Sequence, residues 1–64
     1  MTIEELKNKH SIIVDILEDY SEETGSMLGY NVEFILGGNK YFDGWTLEDI
    51  DEYCTRVENI IWRK

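Results

Sequence analysis

The residues of this chain best equipped for chemistry are its carboxylates. Residues 46–52 read TLEDIDE, four acids in seven positions, which is more negative charge than the start of one helix needs. A helix N-terminus stabilises acids in its first turn by about 0.3–1 kcal/mol each, so Glu48 and Asp49 gain from it, while Asp51 and Glu52 gain far less. Other reactive groups are sparse. His10 is the single histidine and Cys54 the single cysteine, and no Ser or Cys stands at a spacing from His10 that implies a nucleophile pair. Paired Cys/His spacing for zinc and the Asp-x-Asp-x-Asp-Gly loop for calcium are both missing from the sequence. Gly37-Gly38 lacks the Lys-Ser/Thr that completes a phosphate loop. A chain this short also has little volume for a substrate pocket. The expectation is a non-enzyme with no cofactor and no metal.

The charge balance points to a kind of partner. Fourteen acids against six Lys and Arg give a net charge of −8 and a pI near 4.3. Phosphate backbones and anionic membranes attract clustered Lys and Arg, so direct nucleic-acid or membrane binding is disfavoured and a basic protein is favoured. One cysteine cannot form an internal bridge, which makes a reducing cytoplasm the expected location. The N-terminus, MTIEELKNK, has no basic-then-apolar leader pattern, and no apolar run approaches membrane-spanning length.

These groups must be positioned by a very small scaffold. Sixty-four residues, 42% hydrophobic and 31% charged, make one domain near the lower limit for folding without metals or disulfides. Thr2 and Glu5 form a capping-box signature. Ile3, Leu6, Ile13, Leu17 and Tyr20 then recur at helical spacing, with Val14 beside them and Ile12 and Ile16 on a flank, which predicts a first helix from residue 3 to about 23, stopped by Gly25. Between residues 28 and 36 the period becomes two: Leu28, Tyr30, Val32, Phe34 and Leu36 alternate with Gly29, Asn31, Glu33 and Ile35. A helical reading of this stretch is disfavoured by Gly29, Asn31 and Val32.

Gly37-Gly38-Asn39 then closes a hairpin onto Tyr41-Phe42. A two-residue loop places Tyr41 on the face of Phe34, and a three-residue loop places Phe42 there; the sequence leaves this open. Asp43-Gly44 ends the second strand and Thr46 caps a second helix with the stripe Leu47, Ile50, Tyr53, Cys54, Val57, Ile60 and Ile61. The fold class expected is α+β: helix, β-hairpin, helix, with both helices covering one face of a small antiparallel sheet.

On these elements the carboxylates form two outward faces. Glu48 and Glu52 lie opposite the apolar stripe of the second helix, with Asp51 and Glu58 on a flank. Asp15, Glu18 and Glu22 share a polar face of the first helix with Glu4, and Asp19 lies nearby. Like charges about 6 Å apart in water repel by roughly 0.7 kcal/mol before screening, so clustering them costs a small domain stability. Acids spaced along an element imitate a phosphate backbone and fit the basic groove of a nucleic-acid-binding protein. Trp62, off the apolar stripe near Asp51 and Glu58, and Tyr41 are candidate apolar anchors. Trp45 reads as a staple packed on the second helix, and Cys54 as a small hydrophobe within its stripe.

The leading expectation is therefore an inhibitor or adaptor that blocks the nucleic-acid site of a larger basic protein, such as a nuclease, by charge mimicry. In size, acidity and α+β pattern the chain resembles phage-encoded inhibitors of host-defence enzymes and immunity proteins. The alternative expectation is an interaction module or homodimer subunit that uses the hairpin edge and the Ile12/Ile16 flank.

Overall fold

The computed structural model describes residues 1–61. Two helices cover one face of a three-stranded antiparallel sheet, in the order α1 (Ile3–Lys9), β1 (Ile13–Tyr20), β2 (Met27–Phe34), β3 (Gly38–Asp43), α2 (Leu47–Ile61). The α+β class and the packing of both helices on the sheet agree with the sequence.

The first helix is much shorter than its periodicity predicts. Thr2 caps it as expected: its hydroxyl accepts from the Glu5 N–H at 3.1 Å, and the Glu5 carboxylate accepts from the Thr2 N–H at 3.0 Å. At His10 the backbone turns extended, with φ −120° and ψ 103°. The next residues include Ile12-Ile13-Val14, a β-branched run that loses rotamer freedom in a helix and packs well on a pleated sheet. Residues 13–20 therefore form β1, and the expected helix over 3–23 is corrected to one of seven residues followed by a strand. Gly25 ends no helix. It sits at φ 71° in the β1–β2 connection, where its N–H donates to the Ser21 carbonyl at 2.8 Å.

The second and third strands follow the expected hairpin with shifted boundaries. Ile35, Leu36 and Gly37 form the turn, and Gly37 and Gly38 both take positive φ. Pairing of Phe34 with Gly38 and of Tyr30 with Phe42 resolves the open register in favour of the three-residue loop. Phe42 lies on the inner face, 6.4 Å from Phe34 between ring centroids. Gly29 has no room for a side chain, because a Cβ there would collide with the Phe42 carbonyl oxygen.

Helix α2 starts at a reciprocal cap: the Asp49 N–H donates to Thr46 Oγ1 and the Thr46 N–H to Asp49 Oδ2, each at 3.1 Å. Its stripe packs Ile50 and Cys54 fully into the core, with Leu47, Tyr53 and Val57 against it. Ile60 and Ile61, expected in the same stripe, are exposed. The core is completed by Leu6, Ile12, Ile13, Ile16, Val32 and Phe42. Ile12 and Ile16 are thus inside the domain, and the apolar flank expected to serve a homodimer is occupied by the molecule's own core. Among the described residues no helix is long and apolar enough to cross a membrane.

Candidate binding surface

Strand pairing sorts the carboxylates into two populations that no helical wheel separates. Ile16, Val32 and Lys40 form one cross-strand row on the inner face, and Glu18, Tyr30 and Phe42 form the next. The opposite face carries the rows Asp15–Glu33–Asn39, Leu17–Asn31–Tyr41 and Asp19–Gly29–Asp43. Both helices lie on the inner side, so this second face is open. Each charged side chain in its three rows is a carboxylate: Asp15, Asp19, Glu33 and Asp43. Leu17, 62% exposed, and Tyr41 stand among them.

Local geometry ties this face together. Tyr41 Oη donates to Asp19 Oδ2 at 3.0 Å, a diagonal reach across the row in which Gly29 has no side chain. Partial desolvation and the Asp19 hydrogen bond, reinforced by the charges of Asp19 and Asp43, push the Tyr41 hydroxyl above its ordinary pKa. Asp15 and Glu33 are directly opposite on adjacent strands. At about 5 Å their repulsion in water is roughly 0.8 kcal/mol before screening. Lys7, reaching from α1 to Asp15 at 3.4 Å, offsets part of it.

The remaining residues expected to meet a partner are distributed differently. Glu18 falls on the inner side of β1, where it is exposed and accepts from Tyr20 Oη at 2.7 Å. Glu22 is exposed in the β1–β2 connection. Asp15, Glu18 and Glu22 therefore do not share one helical face, because β1 sends alternate residues to opposite sides. Glu48 and Glu52 are exposed on α2, with Glu52 Oε1 2.5 Å from Arg56 Nη2 and Glu48 Oε2 3.2 Å from the Met1 amino group. Trp62 lies outside the described residues.

Asp51 and Glu58 have an internal role. His10, the cap residue after α1, is 2% exposed, and its two ring nitrogens meet two carboxylates of α2: Nε2 is 2.5 Å from Asp51 Oδ1 and Nδ1 is 2.6 Å from Glu58 Oε1. A neutral imidazole donates through one nitrogen only, so the ring donates to both carboxylates only when both nitrogens carry a proton. Lys9 adds an exposed contact to Asp51 at 2.9 Å. The hydrogen bonds from His10, then from Lys9, hold the Asp51 carboxyl below its ordinary pKa. Cys54, one turn along the same side of α2, is fully buried, and desolvation aided by the charges of Glu58 and Asp51 pushes its thiol to about 11. The clamp joins α1 to α2, with the His10 ring buried and both carboxylates about one-fifth exposed.

Sequence reasoning did not find Glu33, Asp43 and Leu17 as members of this surface. The signal was available in the alternation of residues 28–36, which puts Glu33 on the face away from Phe34, but it acquires meaning only once β1 supplies the third strand. Comparison with known proteins finds no matching family model, no matching curated protein and no matching solved structure.

Proposed function

We propose that this protein is a small inhibitor or adaptor that binds a larger basic protein and covers its nucleic-acid site by charge mimicry, a nuclease being the natural example. The open face of the sheet carries the reading. Four carboxylates and no Lys or Arg stand in its three rows, around the exposed pair Leu17 and Tyr41. Acids on adjacent strands destabilise the sheet, and Lys or Arg from a partner relieves that repulsion while an aromatic and a leucine supply desolvated contact. The partner-facing set is then Asp15, Asp19 and Tyr41, joined by Glu33, Asp43 and Leu17, with Glu18, Glu22, Glu48 and Glu52 steering from the periphery. Asp51 and Glu58 support the fold instead.

The test begins with affinity capture from a cell lysate and mass spectrometry, followed by titration of the purified partner between about 50 and 500 mM salt, a range over which exposed pairs become screened. Affinity falling steeply with salt supports the reading; affinity that hardly changes rejects it. A second reading, self-association, draws on the exposed Leu36 and Ile61, which line one apolar depression with Phe34 and Val57, and on the free edges of β1 and β3. Sedimentation analysis showing a dimer at micromolar concentration would favour it.

A further inference from the structure

Where β3 runs into α2, Asp43, Trp45, Asp49, Glu52, Tyr53 and Arg56 line an open cavity of about 450 Å³. Its walls combine two features that recognise organic cations. The rings of Trp45 and Tyr53 stand 6.0 Å apart at 85°, forming a corner rather than a stack. Three carboxylates against one guanidinium leave the rim strongly negative. The chain already brings its own cations to these groups: Arg56 Nη2 is 2.5 Å from Glu52 Oε1, and Lys40 Nζ lies 5.9 Å from the centroids of both Tyr53 and Phe42. An aromatic face attracts a cation through its quadrupole. A right-angled corner suits a compact ammonium on a flexible stem better than a planar guanidinium, which stacks on a single ring.

We infer that this cavity receives a lysine side chain of the basic partner, its carbon stem against Trp45 and Tyr53 and its ammonium among Asp43, Asp49 and Glu52. Asp43 belongs both to the open sheet face and to the cavity rim, so a partner laid across the face has a lysine site at its border. Arg56 acts as a resident competitor for Glu52. The inference rests on the reading of a basic partner, yet its test needs no partner.

The test is NMR titration of the full chain with N-acetyl-lysine methylamide at constant ionic strength, following the Trp45 indole N–H and the Tyr53 ring. Saturable shifts at both, with a Kd on the order of millimolar, are expected. The norleucine analogue, which keeps the four-carbon stem but lacks the ammonium, should produce none, and the arginine analogue a weaker response. Arg56→Ala should tighten lysine binding by about threefold, whereas Lys7→Ala, which changes net charge equally but lies away from the cavity, should leave it unchanged. Equal responses to lysine and norleucine, equal effects of the two alanine variants, or no saturable shift would each overturn the inference. Lysine binding without any salt-dependent partner would overturn the proposed function alone, and salt-dependent partner binding without the lysine response would overturn the cavity alone.

Discussion

Replacing His10 by glutamine tests how much of this fold depends on one buried histidine. A hydrogen bond to a charged group contributes about 1.5–3 kcal/mol net, and His10 makes two, to Asp51 and Glu58. The full sum overstates the loss. Both carboxylates are about one-fifth exposed (19% and 20%), and Asp51 retains Lys9, so each is partly rehydrated when the imidazole goes. Glutamine also preserves one donor. The expected cost is about 2–3 kcal/mol. A 64-residue domain has about 3–10 kcal/mol in total, so this is a large fraction, and Tm should fall by roughly 10–20 °C. Urea denaturation followed by far-UV circular dichroism reads it directly.

The acid limb supplies a sign. Because the folded state holds Asp51 below its ordinary value of 3.8, the stabilisation is present above that pH and is lost as pH falls through the depressed value. The gap between wild type and His10→Gln should therefore narrow below about pH 3.8. A double-mutant cycle of His10→Gln with Glu58→Gln should give a coupling of about 1–2 kcal/mol. A His10→Gln loss below about 0.5 kcal/mol, within the range of ordinary surface substitutions, would refute the clamp, as would a coupling of zero.

Three further outcomes follow from the geometry. Gly29→Ala forces a Cβ onto the Phe42 carbonyl oxygen, which should break the β2–β3 pairing locally and cost about 1–3 kcal/mol by denaturation. Cys54, with its thiol raised to about 11 by burial, should resist alkylation by iodoacetamide at pH 8 in the native protein and react at once in urea. Thr46→Ala removes the acceptor of the Asp49 N–H and should cost about 1 kcal/mol, measured by thermal unfolding.

What the sequence discloses and what it hides are separated by the range of the interactions. The caps at Thr2 and Thr46, the glycine turn and the stripe of α2 rest on contacts within four residues, and each is legible. β1 is not. Ile13, Leu17 and Tyr20 fit a helical period, and only pairing with β2 across the residue 21–26 connection makes residues 13–20 a strand; tertiary context overrides a local pattern there. That one exchange of helix for strand rearranges the acids as well. It sends Glu18 to the opposite side from Asp15 and Asp19, and brings Glu33 and Asp43 beside them. His10 is a related case, since its partners are 41 and 48 residues away and no local spacing announces them.

The most direct measurement compares association of the captured partner with wild type and with the variant Asp15→Asn, Asp19→Asn, Glu33→Gln, Asp43→Asn, at low and high salt. Neutralising these four carboxylates should slow association and flatten its salt dependence, because complementary charge acts chiefly on the rate of encounter. Unchanged rates and an unchanged salt slope would show that the open face of the sheet does not meet the partner.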